Sequence, residues 1–229
     1  MRWFVVTTFF VTGTGTDVGK TFVTARLIRR LRACGQPVDA IKPLVSGFDA
    51  GALSASDPGV LLDALGRPIT ASTVEQVSPW RFAAPLSPDI AAAREGRAVD
   101  FKELVAYCRK RDVSRGVLLI EGVGGVMVPL DDRHTVLDWI TALRAPVIVV
   151  AGSYLGTISH TLTALHVLAG RNLDIAAVVV SESLVPGASL DESVATIARF
   201  AGAIEVIGVP RLAGAAHEHA AFERLASLL

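Results

Sequence analysis

The stretch FFVTGTGTDVGKTFVTARLIRRL, Phe9 to Leu31, decides the fold. An apolar, β-prone run (Phe9, Phe10, Val11) enters a glycine-rich turn, which closes with Gly19-Lys20-Thr21 and opens into a basic amphipathic helix. Strand, glycine-rich loop and helix in this order form an anion site, because backbone N–H groups turn inward at the positive end of the helix. Lys20 adds a mobile positive charge for outer phosphates, and the Thr21 hydroxyl suits Mg2+. Five residues separate Gly13 from Gly19, so the loop is one residue longer than the general G-x4-G-K-[ST] pattern.

Outward from that unit, short β-branched runs recur at 37–42, 116–122, 145–152, 175–181 and 203–209. Their continuous apolar character suits parallel strands covered on both faces. Helical patterns fill the gaps at 20–34, 56–65, 100–112, 135–144, 157–170, 190–202 and 214–228, with Gly35, Gly170 and Gly202 where helices should stop. Alternating strands and helices predict a doubly wound, mostly parallel α/β sheet with helices on both faces, in a single domain over 1–229. The proline-richer stretch 66–98 reads as an extended insertion without a strand of its own.

Ligands of such sheets bind at the carboxyl ends of the strands. Glu121 ends the hydrophobic run GVLLIE, and an acid there needs a cation or donors to offset its lost hydration. It is the first candidate for a magnesium ligand. Asp57, in SASDPGVLL, is either a second acid or an N-cap. Lys42 ends the second strand on the same sheet edge as Lys20; alone it reads as a solvated charge, beside phosphates as a second cation. His217-Glu218-His219 reads as surface decoration, since neighbours on a helix diverge.

Composition bounds the partners. Lysine plus arginine and aspartate plus glutamate are 22 each, so no global basic field favours nucleic acid. No apolar run approaches the roughly 18 residues that span a bilayer. The opening MRWFVVTTFFVTG faintly resembles a leader, but its apolar part feeds the phosphate loop. Cys34 and Cys108 read as unpaired buried thiols in a reducing compartment. A cytoplasmic location is expected.

GTGTDVGKT, IKPLVSG, SD before a helix, FAAPLSPDIAAAREGR, IEGVGG and GTISHTLTAL follow one another in this order. Together they resemble the dethiobiotin synthetases, P-loop NTPase-type enzymes of biotin synthesis, from about residue 9 to 212. The resemblance implies an ATP- and Mg2+-dependent ligase that takes diaminopelargonate (7,8-diaminononanoate) and CO2 or bicarbonate to dethiobiotin, through a carbamate and a carbamic–phosphoric anhydride. It makes Lys20 the phosphate lysine and Lys42 a catalytic lysine. Thr21, Asp57 and Glu121 become the magnesium set. The nucleotide would lie against Asp17, Val18, Gly19, Phe22, Gly122, Val123, Gly124, Ser181, Glu182, Val209, Pro210 and Arg211. Thr16 and Ser46 would meet the diamine or carbamate, with Gly124 lining the site; backbone N–H groups of Gly156, Thr157 and Ile158 would hold the substrate carboxylate, with Ser159 beside them in the substrate site. In the family that last group comes from a partner subunit, which implies a homodimer with shared sites.

Three positions depart from the family pattern. Ser159 precedes His160 where asparagine is usual, and Asp89 replaces a histidine after Ser87-Pro88. Ser181 stands in place of an adenine-reading asparagine, one hydroxyl for a matched donor and acceptor, implying weaker adenine selectivity. The second reading is an ATP-hydrolysing positioning switch of the same fold. Those proteins carry a signature lysine early in the loop, and no lysine lies between residues 1 and 19, Gly15 standing five before Lys20. An amide-forming cousin would need a further domain that 229 residues do not accommodate.

Overall fold

A computed structural model describes residues 7–111, 116–212 and 219–229. Among these, six strands form one parallel sheet: β1 (Thr7–Gly13), β2 (Val38–Ile41), β5 (Val117–Glu121), β6 (Val147–Gly152), β7 (Ile175–Ser181) and β8 (Val206–Val209). Their spatial order is β2-β5-β1-β6-β7-β8. β1 lies at the centre, its Val11 level with Glu121 of β5 and its Gly13 level with Val150 of β6.

Alternate residues of each strand feed two separate cores, as the pleat requires. Phe9, Val11, Leu119, Ile148 and Val150 pack with α1 (Lys20–Ala33), α2 (Asp57–Ala64) and α9 (Ala220–Ala226) on one face. Phe10, Ile120, Val147 and Val149 pack on the other with α5 (Phe101–Arg109), α6 (Val136–Leu143), α7 (Thr157–Gly170) and α8 (Leu190–Phe200). Trp139 of α6 is fully buried there, edge-on to Phe10 at 4.9 Å. The helix after β1 thus covers one face and the helix after β5 the other. The chain reverses direction across the sheet beside β1, and a crevice opens at the carboxyl ends.

The stretch 66–98 is more structured than an extended insertion. It carries α3 (Ala71–Val77), α4 (Pro88–Arg94) and a strand, β4 (Trp80–Phe82), which pairs in parallel with β3 (Leu44–Ser46). Two-turn helices and three-residue strands are too short to show a period. Their local signals are the Thr70–Thr73 capping box and the proline at the start of α4. Helix ends also draw in: α5 stops at Arg109, and α8 at Phe200. Gly35 and Gly202 take left-handed backbone as stops, but α7 runs through Gly170 and turns at Asn172 (φ 53°). Cys108 is buried, whereas Cys34 is exposed, because it caps the end of α1 beyond its packed face. His217 and Glu218 lie outside the described residues; His219 Nδ1 accepts the Ala221 N–H at the start of α9.

Candidate active site

The phosphate loop joins β1 to α1, with Asp17 and Gly19 both at positive φ, 56° and 95°. A Cβ on Gly19 would come within 2.9 Å of Ser181 Oγ, so glycine serves both backbone and packing here. Val18 turns inward to the core, while Thr16, Asp17, Lys20, Thr21 and Phe22 line a cleft of about 780 Å³. Lys20 is buried, its Nζ donating to the Gly15 carbonyl at 2.7 Å. Burial, reinforced by the positive charge of Lys42, pushes its pKa down to about 8 against the pull of Glu121 and Asp57.

Lys42 continues β2 into the interior, 3% exposed, and so is not the solvated strand-end charge that its position alone suggests. Its ammonium lies 2.5 Å from Glu121 Oε1 and 2.8 Å from Asp57 Oδ2. Burial is the largest influence on Lys42 and works against the charge, but the two carboxylates outweigh it and raise the pKa. Asp57 shows the complementary balance: burial favours the neutral acid, yet the Lys42 charge and donors from Lys42 and Thr21 pull its pKa down. Ser56 is the N-cap of α2, accepting the Gly59 N–H, which leaves the Asp57 carboxylate to face the cleft.

Glu121 is fully buried at the end of β5, and its Oε1 also accepts the Thr21 hydroxyl at 2.5 Å. Its Oε2 is buried with no hydrogen-bond partner among the described residues. A buried carboxylate oxygen in that state calls for a cation. Thr21, Asp57 and Glu121 therefore fit Mg2+, which takes one or two carboxylates and completes its shell with phosphate oxygens and water. No group of three or more His, Cys, Asp or Glu side chains able to hold a metal occurs among the described residues.

The opposite wall comes from β3, β4 and the segment after them. Ser46 lines it with a buried Oγ that has no partner among the described residues, and Val123, Gly124 and Val128 close the side after β5. Phe48, Pro85, Leu86 and Pro88 add an apolar surface that spacing arguments missed; FAAPLSPDI carried the only signal. Gly122 lies deeper, its carbonyl 3.4 Å from Lys42 Nζ.

The residues expected on the base side gather at the ends of β7 and β8 and are not part of the cleft lining. Ser181 stands level with Val209, the Glu182 N–H donates to the Val209 carbonyl, and the Arg211 N–H donates to Glu182 Oε2 at 2.9 Å. Pro210 joins those two contacts in the chain. Gly156, Thr157, Ile158 and Ser159 begin α7 and are absent from the cleft lining. Just before them, the Ser153 N–H donates to Ser183 Oγ at 3.0 Å, and the Ser183 N–H to Ser153 Oγ at 2.9 Å. Leu155, Leu184 and Val185 are exposed around this clasp, at 89%, 79% and 80%.

Relatives share most of the chain. A family model described as an AAA domain matches residues 7–217. The ATP-dependent dethiobiotin synthetase BioD of Methylobacterium nodulans is 51% identical, covering 91% of this chain and 95% of that protein. That of Phenylobacterium zucineum is 47% identical, covering 96% and 95%. Among solved structures, the Pyrococcus furiosus cell division ATPase MinD matches with a TM-score of 0.54 at 15% identity, over 97% of each chain. Cyanthece apo McdA matches at 0.55 and 12%, over 98% of this chain and 91% of that one. At such identities the structures share the fold alone; the synthetases share the sequence.

Proposed function

The chain belongs to the ATP-dependent dethiobiotin synthetase family, and we propose that it closes diaminopelargonate and CO2 into dethiobiotin with the residues gathered in this cleft. The observation that carries the reading is the buried Lys42 ammonium, held between Asp57 and Glu121 beside the phosphate loop. Phosphoryl transfer asks a protein for positioning and charge neutralisation more than for a nucleophile, and this cleft supplies both.

One substrate amine adds to CO2, losing a proton and giving a carbamate. A carbamate oxygen attacks the γ-phosphorus of ATP; the new P–O bond forms as the β–γ bridge breaks and ADP departs. The second amine then attacks the carbonyl carbon, forming C–N and breaking C–O, so that phosphate and a proton leave with the cyclic urea. Lys20 neutralises the outer phosphates from within the loop. Lys42 faces the charge shared by carbamate and γ-phosphate, with Thr16 and Ser46 as donors on either side. Thr21, Asp57 and Glu121 would hold Mg2+, which would supply further neutralisation of the phosphates. The backbone donors of Gly156, Thr157 and Ile158, at a helix start, suit a carboxylate. That they stand off the cleft of their own chain supports a homodimer in which each site takes the other subunit's helix start.

No described helix is long and apolar enough to cross a membrane; a cytoplasmic place suits soluble substrates. The test is one incubation with diaminopelargonate, bicarbonate, Mg2+ and ATP, reading dethiobiotin by mass and ADP in parallel. Equal yields that vanish without the diamine support the reading. ADP formed regardless of the diamine would overturn it in favour of a switch ATPase.

A further inference from the structure

Lys42 and the magnesium set do not simply lie side by side. Its ammonium is bonded to Glu121 Oε1 and Asp57 Oδ2, the two carboxylates that suit the divalent ion. Glu121 Oε1 serves Thr21 as well, whereas Glu121 Oε2 is buried and accepts no hydrogen bond among the described residues. One lysine thus bridges two acids, Glu121 fully buried and Asp57 at the cleft wall, that would otherwise repel each other.

A divalent ion bound by those carboxylates lies about 2 Å from its oxygen ligands. Lys42 Nζ stands 2.5 and 2.8 Å from oxygens of the same two groups. Two cations cannot both keep such contacts without strong repulsion in a partly desolvated cleft. The geometry points to an exchange: Lys42 holds the metal ligands in place as a stand-in cation, and the arriving metal releases its ammonium to the reacting oxygens. Lys42 is then a positioning residue for the metal site before it is a catalytic one, and the metal must enter before Lys42 can act. The buried Ser46 Oγ, four residues along the chain and without a partner among the described residues, marks polar capacity on the wall facing the freed ammonium. This inference rests on the magnesium and Lys42 assignments of the proposed function.

Lys20 gives the internal control. It carries the same charge in the same cleft and feels Glu121 and Asp57, but its Nζ is bonded to the Gly15 carbonyl. The experiment is titration of Mn2+ into the full chain, without nucleotide or diamine, followed by electron paramagnetic resonance. Lys42→Met tightens Mn2+ binding by about tenfold or more, as loss of a neighbouring unit charge requires. Lys42→Arg leaves it near the wild-type value, and Lys20→Met gives a smaller gain. An unchanged or weaker affinity in Lys42→Met overturns the exchange, and so does an equal gain in Lys20→Met. Should Lys42→Met fail to fold, pulsed acylation of the wild-type chain read by mass spectrometry decides. Mg2+ then strips protection from Lys42 and leaves Lys20 as it was; protection of Lys42 unaltered by Mg2+ overturns the proposal. Absence of saturable Mn2+ binding in every chain sinks the magnesium assignment with it. Failure to make dethiobiotin despite the predicted exchange sinks the activity alone.

Discussion

Two stretches along the carboxyl edge of one sheet are built in opposite ways. At the carboxyl ends of β1, β2 and β5, charge is buried: Lys20, Lys42 and Glu121 are at most 7% exposed and are held by one another or by backbone. At the ends of β6 and β7 no charge is buried among the described residues; hydroxyls and backbone donors gather there, while Leu155, Leu184 and Val185 stand in solvent. The first stretch is organised in the chain by itself, since like and unlike charges in a low dielectric fix each other's positions. The second is ordered in its backbone, fastened by the Ser153–Ser183 bonds, and leaves apolar side chains exposed.

That contrast breaks if the charged edge turns out to be dispensable. Lys42→Ala is expected to lower dethiobiotin formation by about 10^3-fold, the scale for losing a preorganised charge in a site, while ADP affinity, which rests on the loop, stays within a few-fold. Turnover near wild type would remove Lys42 from the chemistry. Next come two glycines, one per edge. Gly19→Ala places a left-handed φ of 95° on alanine and drives its Cβ to 2.9 Å from Ser181 Oγ, a loss of about 2 kcal/mol. Gly156→Ala carries the same backbone penalty at φ 100° but meets nothing nearer than 3.6 Å, a loss of about 1 kcal/mol. Thermal melts with and without ADP separate them: ADP rescues less of the Gly19 variant's loss, and Gly156→Ala raises the KM for the diamine.

The pH dependence sharpens the charged edge further. Lys20 has its pKa depressed to about 8, so between pH 8 and its unfolded value of 10.5 the folded chain binds fewer protons than the unfolded one. Lys20 therefore weakens the fold below pH 8, and that cost is relieved as pH rises. Lys42 is shifted upward, so its stabilisation is complete below 10.5 and is lost only as pH climbs through the higher folded value. Phosphates favour charged Lys20; above pH 8 ADP must bring a proton, and its affinity should fall by about tenfold per pH unit. Calorimetry in two buffers of different ionisation heat reads that proton directly. An affinity flat to pH 9.5 would place the Lys20 pKa elsewhere. The smallest effect belongs to the neutral edge: Ser181→Asn should raise the ATP-to-GTP preference in the synthesis assay by about fivefold, one added hydrogen bond.

The fold was legible because its strands are buried on both faces and read as unbroken apolar runs, and because Gly19-Lys20-Thr21 sits where strand becomes helix. The residue list for the charged edge was legible as well, but not its bonding. That Lys42 is inside and spans Asp57 and Glu121 depends on β2, β5 and the start of α2 converging across 79 residues of chain, and nothing local to IKPLVSG signals it. The β3–β4 pair escaped for a different reason. Three residues of strand take their pairing from distant backbone, so WRF shows neither alternation nor a turn. At the neutral edge, GTISH announces a helix start, while only the fold shows that it stands away from its own cleft.

The reciprocal bonds between Ser153 and Ser183 have an evolutionary consequence. They fasten the loop that leads into α7 to the loop beyond Ser181, so the two cannot drift apart independently. A lineage that remodels the β7 end to accept a different base drags the start of α7 with it unless both serines stay. Changes at this edge should therefore arrive in pairs across the clasp, and a designer wishing to retune one loop would do well to leave the buckle closed.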